Sequence, residues 1–495
     1  MTWLLARRGL AEYARRPLNL VLLAVVPVGF VTLSAGALND FADILGGTGT
    51  LGTIEAASAG WAAAILAAIA GFFHVSGSRD ADRRLVIAGA RTLDVVVARL
   101  GSALVLGAVA ATGALVALAV RTGIDDAPRA IAATVLFGLI YLAIGLIVGA
   151  LVRSEMNGSL LIIVIWMFDV FFGPAMGGTE PVLRVFPLHF PTQVVIDVAS
   201  RHAGPLGDLG ISLLWAGGAL AAALIALVAT TRLAPTPSMR RWASLDRMVA
   251  GLRYAFREYR RNAVLWVLLI GIPIVFITMS FVVTPDQPTP VELVEGDRRG
   301  ITILSMIDVH GSIMASITAA FLAGLAGLFV VSDSAQGDRR LTLAGFRPFE
   351  VLAGRLGVIG FAALLTTGVA LGVTAIDFAP RDWPTFAAGT ILVALTYAMI
   401  GVLIGPVVGR LGGLYIILVL PFIDLGVAQN PMFDAAPPGW ASLMPAHGAV
   451  RVMLDGAFTS GFDEIGALGL ALAWLAAITV AAVAVFHRLA APQRG

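Results

Sequence analysis

Apolar runs of about 20 residues recur along the whole chain, separated by short polar stretches rich in Arg, Gly and Pro. A helix of about 20 apolar residues can cross a hydrocarbon core about 30 Å thick. The pattern predicts an all-α membrane protein with twelve transmembrane helices. The first run lacks a small-residue cleavage site and is interpreted as a permanent span, not a signal peptide. The predicted spans cover residues 18–37, 57–77, 97–120, 130–152, 159–176, 209–231, 263–283, 312–332, 352–376, 386–408, 412–428 and 465–486.

The chain contains two copies of one unit. Four sequence blocks recur in the same order with nearly constant spacing. For example, LIYLAIGLIVGALV from Leu139 matches LTYAMIGVLIGPVV from Leu395, and FPLHFPTQVVIDVAS from Phe186 matches MPAHGAVRVMLDGAF from Met444. The repeat predicts two domains, residues 1–240 and 241–495, joined by the polar, basic linker RLAPTPSMRRWASLDR.

Six spans in each half predict that both halves insert in the same orientation, as parallel repeats. If both termini are cytoplasmic, 25 of the 33 arginines lie on the cytoplasmic side, whereas the outer loops collect acidic residues. The positive-inside rule therefore predicts a multi-pass protein of the plasma (inner) membrane with a cytoplasmic N-terminus and C-terminus.

Composition excludes several functions. The chain is 58% hydrophobic, only 13% charged, and contains no cysteine and no lysine. Disulfides, thiolate chemistry and Schiff bases are therefore excluded, as is a phosphate-binding P-loop, which needs a lysine. The arginines flank membrane spans, which argues against nucleic-acid binding.

An arginine-rich segment is repeated between the second and third span of each half. DRRLVIAGARTLDVVVARLG begins at Asp82, DRRLTLAGFRPFEVLAGRLG begins at Asp338, and eleven of the twenty positions are identical. Its apolar spacing predicts short amphipathic helices, broken in the first copy at Ala88–Gly89. The arginines could simply fix topology, which is the role expected for Arg99 and Arg355. Topology does not require a motif kept in register, however, so we favour a docking surface for a cytoplasmic partner.

Each half also opens with a basic amphipathic segment, WLLARRGLAEYARRP or MVAGLRYAFREYRRN. Such segments lie in the membrane interface. A simple cluster of flanking charges is the alternative.

This layout resembles ABC exporter permeases of the type V architecture, which have six-helix domains and extracellular helices before the last span. DRRLVIAG-R is similar to the family's R-E-[KR]-x-x-G-T segment, with Asp82 or Asp338 in place of glutamate. FPLHFPTQVVIDVA is similar to its P-x-x-[YH] stretch. Two domains are fused here, as in some drug and antibiotic efflux permeases of high-GC bacteria.

The resemblance implies a non-enzymatic membrane subunit without its own cofactor. ATP and Mg would be bound by a separate ABC ATPase subunit, present in two copies. The repeated segment would be the coupling helix that transmits the closure of the ATPase dimer, since the planar guanidinium of arginine suits pairing with carboxylates and carbonyls. The implied coupling residues are Asp82, Arg83, Arg84, Arg91, Asp338, Arg339, Arg340 and Arg347.

Ionisable residues inside a span are candidate functional residues. Asp169 and Asp424 occupy equivalent positions in the fifth span of each half. They could hold helices together by hydrogen bonds, or they could face a substrate pathway. Trp166 and Phe168 are further candidates for a cavity that accepts an amphiphile. His189 and His447 lack enough nearby ligands, so no metal site is predicted.

The sequence thus predicts an exporter permease for a hydrophobic or amphipathic small molecule, consistent with multidrug efflux and antibiotic resistance. Export of a lipid or a lipid-linked polymer is one alternative. A twelve-span secondary transporter, also built from two parallel halves, is another. It is disfavoured because such carriers lack an interfacial helix before each half and the repeated P-x-H segment.

Overall fold

The computed structural model describes residues 17–44, 51–121, 123–124, 126–178, 181–200, 207–232, 263–296, 298–343 and 348–490, with isolated positions 5, 7, 10 and 11. The side chains of Ser34, Leu51, Arg232 and residues 197–200, 263–264, 335–343, 348–350 and 487–490 lie outside this description. The two predicted interfacial segments fall almost entirely outside the described residues. The chain separates into two compact units, Met1–Met239 and Arg240–Gly495.

The first unit is helical throughout its described part. Two single-turn 3₁₀ segments, Pro174–Met176 and Pro181–Val185, connect α6 to α7. The helices are α1 (Pro17–Ile44), α2 (Leu51–Ser76), α3 (Arg79–Ile87), α4 (Thr92–Arg121), α5 (Ala127–Leu151), α6 (Glu155–Phe171), α7 (His189–Ser200) and α8 (Leu209–Arg232).

The second unit is also mainly helical and contains an antiparallel hairpin of two strands. Its strands pair from Pro288 with Ser305 to Glu295 with Arg298. The elements are α9 (Ala263–Val283), β1 (Pro288–Glu295), β2 (Arg298–Ser305), α10 (Met306–Leu343), α11 (Pro348–Asp377), α12 (Trp383–Pro421), a π-helical turn (Phe422–Ala428), a 3₁₀ turn (Gly439–Leu443), α13 (His447–Phe458) and α14 (Ile465–Ala490).

Among the described residues, nine helices are long and apolar enough to span a membrane, or ten if α1, bent by 48°, counts as one span. The count of ten is two lower than the twelve spans predicted from the sequence, for two reasons. The fifth predicted span, α6, has 17 residues and is slightly shorter than the nine helices counted as spans. The tenth and eleventh form one apolar helical stretch, Trp383–Ala428, although Gly409 breaks the helix geometry with a φ of 82°.

The second span lies at the centre of each unit and the sixth at its edge. The most apolar stretch is 89% buried in α2 and 83% buried in α10, but only 22% in α8 and 17% in α14. Small residues allow the central helices to touch. A Cβ on Gly145 of α5 would lie 2.0 Å from the Ala68 carbonyl oxygen, and one on Gly401 of α12 would lie 2.1 Å from that of Gly324. Such glycines let membrane helices pack backbone to backbone.

The segment after the second span differs between the units. In the first, α2 ends at Ser76 and α3 begins separately at Arg79. In the second, α10 continues without interruption to Leu343. Gly77, at the break in the first unit, is replaced at the equivalent position by Asp333. Glycine is a poorer helix former than aspartate, which disfavours a helix through residue 77, although α10 itself continues through Gly337.

Candidate functional site

The α3 helix lies between the second and third spans, where the sequence predicts an amphipathic helix. It ends at the C-cap Ala88, and Gly89 follows with a φ of 98°, so the break falls at the predicted position. Glycine adopts this left-handed conformation without the steric cost that a Cβ would add. The chain then turns directly into α4.

Asp82 is buried and points towards α4, where it meets Arg99. Arg99 Nε lies 2.9 Å from Asp82 Oδ2, and Arg99 Nη2 lies 2.8 Å from Oδ1. The hydroxyl of Ser78, the N-cap residue of α3, donates a further bond to Oδ2 at 3.2 Å. This two-pronged pair is the strong form of the arginine–carboxylate interaction. The structure therefore gives Arg99 a specific partner, beyond the topological role expected from the sequence, and gives Asp82 a positioning role within the unit.

Two more arginines fasten α3 to other spans. Arg79 donates from Nε to the carbonyl oxygen of Gly149 at 2.7 Å, and from Nη2 to that of Val152, at the end of α5. These carbonyls lack a partner within their own helix, and a cation suits the negative end of the helix dipole. Arg83 Nη2 lies 3.4 Å from the Thr230 carbonyl oxygen near the end of α8. The short helix is thus bonded to α4, α5 and α8.

The opposite side of α3 is exposed. Arg84 and Arg91 reach solvent there, as the docking hypothesis requires. Between them lies Ile87, whose side chain is 81% exposed. The sequence analysis did not select Ile87. Its signal was an apolar side chain on the charged side of an amphipathic helix, a pattern that fits a contact surface for another protein.

The second copy of the segment cannot be compared at the side-chain level. Asp338, Arg339 and Arg340 belong to the end of α10, but their side chains lie outside the described part of the structure, and Arg347 lies outside it altogether. Their predicted coupling role remains a prediction. Nearby, Arg410 of α12 lies 3.3 Å from Asp333 of α10, and it donates to the Ser332 carbonyl oxygen at 3.0 Å.

Asp169 is fully buried and joins three segments of the first unit. It accepts a hydrogen bond of 2.5 Å from the Tyr141 hydroxyl of α5 and one of 3.0 Å from the backbone N–H of Leu188, just before α7. Its neighbours on α6 pack within the same unit. Trp166 donates from Nε1 to the Trp61 carbonyl oxygen at 2.9 Å, and Phe168 stacks on Phe172.

Asp424 makes the same contacts in the second unit. It accepts a bond of 2.7 Å from the Tyr397 hydroxyl and one of 3.0 Å from the N–H of Ala446, just before α13. Gln429 adds a longer contact of 3.5 Å and also reaches His447 Nδ1 at 2.9 Å. Each unit therefore has a clamp, which we define as the aspartate, its tyrosine and the N–H before the outer helix. Burial lowers the pKa of His447.

These contacts supply the helix-holding interactions that the sequence left as one of two alternatives. Asp169 accepts two hydrogen bonds and Asp424 accepts three, so each carboxyl has partners on both of its oxygens in the apolar interior. The alternative role, in a substrate pathway, remains a prediction for Asp169, Asp424, Trp166 and Phe168.

The second unit also has a buried charge cluster at the base of its hairpin. Arg451 of α13 is 3.0 Å from Glu464 and 3.0 Å from Glu292 of β1. In addition, the N–H of Glu292 donates to the Ala435 carbonyl oxygen at 2.7 Å. In the first unit the equivalent of Arg451 is Gln193. Beside this cluster, burial raises the pKa of Asp455, which accepts bonds from Thr459 and the N–H of Asp463.

The first unit has a different buried acid, which the sequence analysis missed. Glu55 of α2 is buried and pairs with Arg121 at the end of α4, with Nε to Oε1 at 2.8 Å. In the sequence, Glu55 could have been noticed as a carboxylate at the start of the Ala-rich second span. Within the described residues, no cluster of His, Asp and Glu side chains could hold a metal ion.

Comparison with known proteins connects these features to a family. No curated protein matches the chain. Residues 59–231 match the family model described as ABC-2 family transporter protein. The match begins in α2 and ends in α8, so it contains α3 and the first clamp. Together with the apolar helices, it supports a multi-pass ABC transporter permease, a class that works in the bilayer with a partner ATPase, and over these residues the chain is similar to the ABC-2 transporter family.

Proposed function

We propose that the chain is the complete membrane-spanning part of an ATP-driven exporter. ATP and Mg would be bound by two copies of a separate ATPase subunit, one for each six-span unit. The substrate would be a hydrophobic or amphipathic small molecule of the drug or antibiotic type, moved out of the cell. The match of residues 59–231 supports the transporter class, and the geometry of α3 supports the coupling to a partner.

Twelve crossings are part of this proposal. Glu155–Phe171 is largely apolar and, with 17 residues, is just long enough to cross the hydrocarbon core. The 46-residue stretch Trp383–Ala428 would extend about 69 Å if straight, more than twice the hydrocarbon thickness, at about 1.5 Å per residue. The left-handed Gly409 with Arg410 beside it provides the point where the chain can turn at the cytoplasmic surface.

The exposed face of α3 carries the proposal of coupling. Arg84, Ile87 and Arg91 face away from the unit, whereas Arg79, Asp82 and Arg83 bind three different spans. A displacement imposed on the exposed face is therefore passed to α4, α5 and α8 together. An apolar centre flanked by arginines is the composition of many protein contact sites.

The clamps fit a role in transmitting this motion further. Each ties the fourth and fifth spans to the helix on the predicted outer side. Movement of these spans would then move α7 and α13. Trp166 and Phe168, one turn or less from Asp169, remain our candidates for contact with an amphiphile.

The test is capture of the partner from native membranes. The tagged wild-type chain should copurify with a P-loop ATPase, identified by mass spectrometry. Replacing both Arg84 and Arg91 by Glu should weaken binding at the first unit by about 30-fold, because losing a hydrogen-bonded interfacial charge pair costs about 2 kcal/mol or more. The recovered ATPase should then fall to about half, because the second unit keeps its own docking segment.

Arg184→Glu is the matched control, because Arg184 is also exposed but lies on the predicted outer side. It should leave the recovery of the ATPase unchanged. If no P-loop ATPase copurifies with the wild-type chain, the exporter proposal is wrong. If the double variant binds the ATPase as well as Arg184→Glu does, α3 is not the docking surface.

A further inference from the structure

A cavity of about 500 Å³, open on one side, lies at the surface of the first unit between α5 and α8. Its volume is within the range of about 300–1,000 Å³ that is usual for small-molecule sites. No function described above uses it. Its walls include Ile140, Ile144 and Ile147 of α5, Trp215 and Gly218 of α8, and Pro187 before α7.

The walls of the cavity are apolar. Every lining side chain is aliphatic, except for the indole of Trp215. A charged or strongly polar ligand would lose its hydration there without gaining partners, which costs several kcal/mol. The occupant must therefore be a hydrocarbon group, with at most one acceptor for the Trp215 N–H.

The length of the cavity matches one leaflet of a bilayer. Its lining extends along α8 from Ile211 to Ala222, which is about 16 Å at 1.5 Å per residue. Half of a hydrocarbon core about 30 Å thick is about 15 Å. A single acyl chain that enters from one side of the membrane has this reach.

The cavity opens sideways on an outer face of the unit. Leu214, on its rim, is 75% exposed, and α8 is the least buried apolar helix of the unit. A hydrocarbon chain that meets this face can therefore enter without passing through the interior of the unit.

Small side chains on α8 create this space. A Cβ on Gly218 would meet nothing within 4 Å. When the two sixth spans are aligned on Trp215 and Trp474, Gly218 corresponds to Ala477, and the lining residue Ala219 corresponds to Ile478. Ile478 is buried, with 6% of its side chain exposed. At this position of the alignment the second unit therefore carries a bulkier side chain than the alanine that lines the cavity in the first.

We propose that the cavity between α5 and α8 of the first unit is a lipid site, occupied by one acyl chain of a phospholipid from the bilayer. The site is distinct from the clamps and from α3.

The test uses the whole chain reconstituted in vesicles of phosphatidylethanolamine and phosphatidylglycerol, with no ATPase and no ATP. A small, increasing share of the phospholipid carries a photoactivatable diazirine in its acyl chain. After illumination, mass spectrometry measures labelling of the segment from Ile140 to Ile147. Ile225 of α8, which is 69% exposed and does not line the cavity, reports ordinary contact with lipid.

Labelling from Ile140 to Ile147 should saturate as the probe increases, whereas labelling at Ile225 should rise in proportion to it. Gly218→Leu should lower the first signal about tenfold or more, because the new side chain displaces several methylene groups of the lipid. Gly217→Leu is the matched control. Gly217 is the neighbouring helical glycine, is equally open around its Cβ, does not line the cavity, and gains the same helix propensity.

Two results would overturn the lipid site. One is unsaturable labelling from Ile140 to Ile147, or equal labelling in the two glycine variants. The other is displacement of the probe by tetraphenylphosphonium, a cationic amphiphile, more effectively than by unlabelled phospholipid, which would make the cavity a site for amphiphiles. Since neither measurement needs the ATPase, failure here leaves the exporter proposal untouched.

Discussion

The ion pair between Asp82 and Arg99 should determine how firmly α3 is held. If it does, replacing either residue by Ala should release α3 from α4 while leaving the spans folded. The two side chains are only 12% and 15% exposed, and three nitrogen–oxygen distances between them lie from 2.8 to 3.1 Å. A pair with this geometry is far from the solvent-exposed kind, which contributes about 0–1 kcal/mol.

The magnitude follows from this partial burial. Removing one partner of a fully buried ion pair costs about 3–5 kcal/mol, because the remaining charge is left unpaired. Here the remaining side chain can move towards the cytoplasmic water, and hydrogen bonds to charged groups contribute about 1.5–3 kcal/mol. We therefore expect each single variant to lower the free energy of opening α3 by about 2–3 kcal/mol.

Hydrogen exchange of the α3 backbone measures this opening. A loss of 2–3 kcal/mol should speed the exchange of the last amides of the helix, those of Val86 and Ile87, by about 30- to 150-fold. Amides inside α5, such as that of Tyr141, should be unaffected. Asp80→Ala is the control variant, because Asp80 is an exposed acid on the same helix.

The double variant decides whether the two residues act as a pair. In Asp82→Ala with Arg99→Ala, exchange should be no faster than in the worse single variant, since the second substitution removes a charge that already lacks its partner. Additive effects of the two substitutions would refute the reasoning. So would an acceleration in Asp80→Ala as large as that in Asp82→Ala.

Two further predictions concern the predicted outer side of the protein. Tyr141→Phe should lower the thermal stability of the purified protein more than Tyr397→Phe. After the substitution Asp424 keeps Gln429 as an additional partner, whereas Asp169 keeps only the Leu188 N–H among the bonds described here, and membrane hydrogen bonds average about 0.6 kcal/mol. The reverse order in a melting experiment would contradict this account. Arg451→Gln, which introduces the residue found in the first unit, should destabilise the second unit by about 3 kcal/mol, because it takes the close cation from the buried Glu464 and leaves Glu292 with only the more distant Arg299. Arg299→Gln should change little, since Arg299 is 69% exposed and 3.7 Å from Glu292. Equal midpoints of denaturation for the two variants would disprove the importance of the cluster.

Much of the helical layout could be predicted because a membrane span needs only length and apolar composition. The break after Ala88 was also readable, since it depends on a local signal, Gly89. Likewise, the burial of Asp169 and Asp424 follows from their place within apolar runs. None of these features requires knowledge of which helices are neighbours.

The hairpin from Pro288 to Ser305 was not predicted, although its signal is in the sequence. Val291 and Leu293 are buried, while Pro290 and Glu295 are exposed, which approximates the alternation of a half-buried strand. Gly296, with a φ of 61°, provides a residue suited to the turn. The prediction for the outer loops used only their charges, and charge alone does not reveal the alternation of apolar and polar side chains along a strand.

The pairing of side chains within a unit was the least predictable feature. Asp82 and Arg99 are 17 residues apart and meet only because the chain turns back after Gly89. A sequence pattern shows that Asp82 is repeated but does not show that its partner lies inside the same unit. Similarly, the exposure of Ile87 depends on which side of α3 the three anchoring contacts select.

The clamps explain why the repeated sequence blocks are identical at some positions and different at others. Tyr141 and Tyr397, and Asp169 and Asp424, are the same in both units, and each pair forms the same bond between a hydroxyl and a carboxylate. The third member is a backbone N–H, which every residue except proline supplies. Leu188 in one unit can therefore be Ala446 in the other without any loss of the contact. A substitution that removes the N–H itself, Ala446→Pro, should break the clamp and lower the melting temperature of the purified protein, whereas Ala446→Gly keeps the N–H and adds no volume at this fully buried position.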